Sequence, residues 1–148
     1  MATHGFELGN DGPSLIVVGV DGSEHANRAG SYAAGLARRQ GSRLVGIYVR
    51  PVSGLAGLSA AAANAIAQAH DAIASELEAG AALARTMYGL DLELVVREGD
   101  PAQQIARLAD ELRADGVVVG ASSRGGLLVG SIPQRLVRAG RWPVTVVP

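Results

Sequence analysis

The chain contains no cysteine, and its thirteen basic residues are all arginine. The missing cysteines exclude disulfides, thiol nucleophiles and thiolate metal sites. Without lysine there is no Walker-type contact to a β- or γ-phosphate and no Schiff-base chemistry. Aromatic residues make up only 3% of the 148 residues, with a single tryptophan, Trp142, expected to pack at the approach to the last strand. The net charge is −1, which lacks the clustered surplus of cation that nucleic-acid and membrane surfaces attract. No apolar run reaches the ~18 residues needed to span a bilayer. The opening MATHGFELGNDGP has neither a basic nor an apolar segment of a secretory signal, so the expected location is the cytoplasm. His4, His25 and His70 are scattered, with no second ligand beside them in sequence, and no metal site is expected.

What is present is a hydrophobic content of 48% in a length suited to one domain with a full core. Residues 1–13 read as a flexible polar tail and 14–148 as a single domain. Short β-branched runs at Ser14–Val20, Arg43–Val49, Asp91–Arg97, Gly116–Gly120 and Pro143–Val147 read as strands. The third alternates at first, which suits a strand near a sheet edge. Helices are expected over Glu24–Gln40, from about Ala62 to Tyr88, after Asp100-Pro101, and after Ser131. Ser23, Asp100 and Ser131 are candidate N-caps, and Gly41 and Gly89 stand where left-handed C-caps are needed. The first helix carries Ala29, Tyr32, Ala33, Leu36 and Ala37 at helical spacing. The long helix carries Ile66, Ile73, Leu77, Ala84 and Tyr88, a stripe for core or for a dimer surface.

Strictly alternating strands and helices predict an α/β fold, a Rossmann-like open parallel five-stranded sheet with helices on both faces. In the order 3-2-1-4-5, strands 1 and 4 are neighbours and a crevice opens outside their carboxyl ends, where such sheets bind ligands. Asp21 ends strand 1 and Gly120 ends strand 4. Gly130-Ser131 opens a helix whose free N–H groups favour an anion, although an N-cap needs no ligand. Between them, Ser122, Ser123 and Arg124 offer two hydroxyls and a guanidinium, and read equally as a solvated turn. Asp21 before Gly-Ser suits ribose hydroxyls or a simple turn. Glu24, His25 and Arg28 read as a crevice rim or a solvated helix face.

The combination IVVGVDGS, DGVVVGASS and VGSIPQRLVRAGRWPVTVVP, in this strand–helix order, resembles the universal stress protein (UspA-like) family over nearly the whole chain after the tail. In that family's ATP-binding branch, strand 4 is followed by Gly-x2-Gly-x9-Gly-Ser/Thr. Gly120 matches its first glycine and Gly130-Ser131 its closing pair, but the second glycine falls on Ser123. Only nine residues separate Gly120 from Gly130, three fewer than the pattern has. The resemblance implies ribose and adenine contacts at Asp21 and at the Val49 backbone. It implies ATP or another adenine nucleotide as ligand, a stress-response role, and a homodimer through the C-terminal strand. It implies no enzyme beyond weak ATP hydrolysis. The alternative is a nucleotide-independent dimeric interaction protein, which the shortened loop also fits.

Overall fold

The computed structural model describes residues 12–52, 57–121 and 131–148. Its elements run in strict alternation: β1 (Leu15–Gly19), α1 (Glu24–Gln40), β2 (Arg43–Arg50), α2 (Ala60–Tyr88), β3 (Leu92–Glu98), α3 (Pro101–Leu112), β4 (Gly116–Gly120), α4 (Ile132–Ala139) and β5 (Val144–Val147). The strands form one sheet in the order β3-β2-β1-β4-β5, and every pairing is parallel. This is the Rossmann-like order expected from the sequence.

The apolar runs become strands because both faces of the sheet are covered. Ile16, Val17 and Val18 are almost fully buried, and so are Val117, Val118 and Val119. Alternation sorts them by face. Val17, Val45, Ile47, Val117 and Val119 pack with Ile105, Leu108 and Leu136 of α3 and α4. Ile16, Val18, Leu44 and Val118 pack with Ala29, Ala33 and Ala37 of α1. Trp142 is partly buried against the first of these cores, with Arg141 over its ring at 5.0 Å.

Local chemistry sets the helix ends. Ser23, Ser59, Asp100 and Ser131 each accept a backbone N–H with the side chain at the N-cap. Gly41, Gly89 and Gly140 close helices in the left-handed conformation. At the amino edge of the sheet, one carboxylate joins distant segments: Asp115 Oδ2 accepts from Ser14 N at 2.9 Å, Ser14 Oγ at 2.8 Å and Leu15 N at 3.0 Å.

Two apolar stripes depart from expectation. On α1, Tyr32 is 44% exposed, because the small alanines beside it already close the contact with the sheet. On α2, Ala81 is the only buried residue, and Ile66 and Tyr88 of the expected stripe are exposed. The other three stripe residues are half-buried. The helix is 29 residues long, far longer than strands of 7 or 8 residues can cover.

The tightest approach joins α1 to β4. A Cβ built on Gly120 would lie 2.6 Å from the carbonyl carbon and oxygen of His25 and 2.9 Å from Ala26 N. These are backbone atoms of the first turn of α1, which cannot move aside alone. Gly120→Ala is therefore expected to destabilise the fold by about 2–3 kcal/mol through overpacking. Urea unfolding of the variant, with the denaturant slope unchanged, checks this.

Candidate functional site

The carboxyl ends of the strands carry a crevice of about 420 Å³. It lies at the switch point, where the chain leaves β1 for one face of the sheet and β4 for the other. Asp21, Val49 and Gly120 all line it, so the structure brings these three expected site residues together. Ile132 and Pro133 of α4 line it as well, and Ser131 stands just before them as the helix N-cap. Ser122, Ser123, Arg124 and Gly130 lie outside the described residues, as do residues 1–11 of the expected tail.

Each position has a local cause. Asp21 Oδ1 accepts from Ser23 N at 2.8 Å, the turn that the Asp-Gly-Ser triplet suits, with Gly22 at φ 82°. Its second carboxylate oxygen has no hydrogen-bond partner among the described residues. Val49 follows from register. Pairing between β1 and β2 ends at Gly19–Ile47, and Val20 N donates to Ile47 O at 2.9 Å. Val49, two residues on, turns its backbone N–H and C=O to the same side, past the end of β1. Ser131 Oγ accepts from Gln134 N at 3.4 Å, so it serves as a helix cap. Gly120 has the packing role described above, which needs no ligand.

The crevice also holds residues that sequence reading did not bring together. His25 lines it from α1, while its neighbours Glu24 and Arg28 pair with each other at the surface. Tyr48 and His70 line it from β2 and α2, with Tyr48 Oη 2.7 Å from His70 Nδ1. Burial pushes the Tyr48 phenol up from its ordinary pKa; the Arg50 charge opposes this and that of Asp21 adds to it. The pair spans 22 residues of sequence, and only the crossover geometry aligns it. Arg50 pairs with Asp71, two residues beyond Tyr48 and one beyond His70, giving α2 a second polar tether. Among the described residues, no group of three or more side chains could hold a metal ion.

A larger trench, about 570 Å³, runs between α1 and α2. It is lined mainly by small and apolar residues, with Arg38 and Glu76 as its charged members, and contains none of the expected site residues.

The wall formed by α3 and α4 is clamped by one ion pair. Arg135 donates to Asp100 Oδ1 at 2.8 Å, and its other terminal nitrogen lies 2.7 Å from Oδ2. Asp100 Oδ2 also accepts from Gln103 N at 2.9 Å. The Arg135 hydrogen bond leads in holding the Asp100 carboxyl below its ordinary pKa, with the Gln103 N–H adding to it against some desolvation.

Comparison with known proteins agrees with this architecture. The family model described as the universal stress protein family matches residues 14–148. A universal stress protein of Methanocaldococcus jannaschii is 28% identical over 138 residues, covering 89% of this chain and 80% of that protein. A crystal structure from the same family in Burkholderia pseudomallei has a TM-score of 0.70 at 28% identity, covering 91% of this chain and 96% of that one. A universal stress protein solved in complex with cAMP has a TM-score of 0.64 at 26% identity, covering 91% and 96%.

The clamp gives a signed pH effect. A depressed folded-state pKa contributes stability above the unfolded carboxylate value, about 4, and loses it as pH falls toward the folded value. Both partners are substantially exposed, so the expected cost of Arg135→Gln at pH 7 is small, about 0.5–1 kcal/mol. The difference from the unmodified protein should shrink below pH about 4 and vanish once Asp100 is protonated. Unfolding across pH, with NMR titration of Asp100 moving upward in the variant, checks it. The five-stranded parallel order, the crevice at its switch point and the match over residues 14–148 lead to one assignment: the chain belongs to the universal stress protein family.

Proposed function

We propose that this protein is a regulatory nucleotide-binding protein that takes ATP or another adenine nucleotide into the crevice between β1 and β4. The observation that carries this reading is the meeting of Asp21, the Val49 backbone and the first turn of α4 around one cavity. A carboxylate oxygen without a partner among the described residues suits ribose hydroxyls, and a strand backbone past its last neighbour on the β1 side suits the edge of a purine. The start of α4 suits a phosphate through the Ile132 N–H and the helix dipole, since Pro133 has no N–H and that of Gln134 goes to Ser131 Oγ. The relative solved with cAMP supports an adenine nucleotide as the class of ligand. In this reading Ser122, Ser123, Arg124 and Gly130 complete the phosphate end. Asp21 is the one carboxylate among the described lining residues, and the role is regulation rather than turnover, with at most weak hydrolysis.

A second reading, an interaction protein that works as a homodimer without nucleotide, is favoured by β5. Among the described residues this four-residue strand pairs with β4 alone and leaves its outer edge open, with Val146 42% exposed. An open apolar edge is a template for another strand, and a second copy would satisfy it by twofold symmetry. The two readings are compatible, since β5 and the crevice occupy different parts of the sheet.

Calorimetric titration of nucleotide-stripped protein with ATP, ADP, AMP and cAMP tests the first. One of the four should bind at micromolar strength, and Asp21→Ala should weaken it about tenfold, the worth of a charge-assisted hydrogen bond. No heat and no thermal shift with any of them would refute it. Light scattering tests the dimer. The native chain should show twice its 15.1 kDa mass, and Val146→Arg should return it to one. A native monomer would refute the pairing.

A further inference from the structure

We infer that His25 is a phosphate-contacting residue of the crevice, reading the phosphate nearest the sugar; this rests on the adenine-nucleotide reading above. The chain has no lysine, and no arginine is among the described residues that line the crevice. Among the described lining residues, the side chains able to carry positive charge are therefore the imidazoles of His25 and His70. His70 is engaged through Nδ1 with the Tyr48 hydroxyl, on the side of the crevice where Val49 lies.

His25 is placed differently. It is the second residue after the Ser23 cap, in the turn whose backbone N–H groups carry the positive end of the helix dipole. The close approach to Gly120 sets this turn against the carboxyl end of β4, where Ala121 also lines the crevice. Its Nδ1 is buried without a hydrogen-bond partner among the described residues, a rare state that calls for a physical reason. An orphaned donor is worse tolerated than an orphaned acceptor, which favours the tautomer with its hydrogen on Nε2. His25 lines the cavity, and no hydrogen bond occupies its Nε2 among the described residues, so this nitrogen is the one offered to a ligand. Glu24 and Arg28 satisfy each other and neither compensates it.

Asp21 and His25 flank the same Gly22-Ser23 turn. A ribose held by Asp21 carries its first phosphate toward α1, where the imidazole N–H and the helix N-terminus both donate to anionic oxygen. The contribution of His25 therefore attaches to the first phosphate and is absent for a nucleoside. Phosphates further from the sugar fall to other parts of the site.

AMP and adenosine, titrated side by side, separate the possibilities. His25→Ala should weaken AMP about tenfold and leave adenosine within about twofold. His25→Gln, whose amide N–H extends toward the Nε2 position, should recover most of the loss. The melting temperature of His25→Ala should not fall, since the substitution removes a buried unpaired atom. Unchanged AMP affinity in His25→Ala overturns the assignment while leaving the nucleotide site standing. Equal weakening of AMP and adenosine also overturns it, because the residue would then act only on the shape of the crevice. If the unmodified protein binds neither AMP nor adenosine, this assignment falls, whereas the nucleotide reading falls only if ATP, ADP and cAMP give no heat either.

Discussion

The site depends on one close contact, the first turn of α1 lying directly on the end of β4. Gly120 permits it by having no side chain, since a Cβ would meet the His25 carbonyl at 2.6 Å. β1 and β4 are adjacent in the sheet, with Val17 opposite Val117, so the helix leaving one strand must pass the end of the other. The contact brings the α1 N-terminus over the switch point and leaves the crevice beside it. A glycine at this position is therefore required by packing before any ligand is considered. Its presence in the sequence says that the helix sits close, and the closeness is what gives the cavity a polar wall.

The two faces of the sheet are built differently, and this shapes the rim. The face covered by α3 and α4 buries large residues, among them Ile105, Leu108 and Leu136. The other face relies on alanines of α1 and on α2, which buries only Ala81. A helix with so little buried surface gains little from packing. Polar tethers do much of the positioning near the crevice: Tyr48 with His70, Arg50 with Asp71, and lower down Arg85 donating to the Leu92 carbonyl at 2.6 Å. The Tyr48 hydroxyl is buried with its strand and satisfied by the helix, so the rim of α2 is held where the sheet most needs a partner.

The fold was legible because its signals are local. Short β-branched runs, Ser and Asp caps, and glycines after helices each act within a few residues, and their strict alternation leaves few topologies. Asp21 was placed at the crevice by the end of its strand and Val49 by the family resemblance, and both line it. What sequence did not yield is contact across elements. Nothing in the spacing of Tyr48 and His70 pairs them, and His25 reads as a rim or surface residue until α1 is set on Gly120. The α2 stripe misled for a related reason. Periodicity tells which residues share a face, but not whether a partner of sufficient length lies beneath it.

The charge pattern of the crevice narrows what can occupy it. In a sheet of parallel strands every following helix begins at the carboxyl edge, so α1, α3 and α4 all start near the cavity, with His25, Pro101 and Ile132 in its lining. Their N-termini favour negative charge. Asp100, which would oppose this at α3, is neutralised by Arg135. Asp21 alone among the described lining residues adds a formal negative charge, and it sits at the β1 end. The crevice therefore accepts hydrogen bonds at Asp21 and donates them from the helix starts around it. A purely anionic ligand would meet repulsion from Asp21, and a neutral one would leave the helix ends unused. A ligand with hydroxyls at one end and an anionic group next to them satisfies both, and a sugar bearing a phosphate is the simplest molecule of that kind.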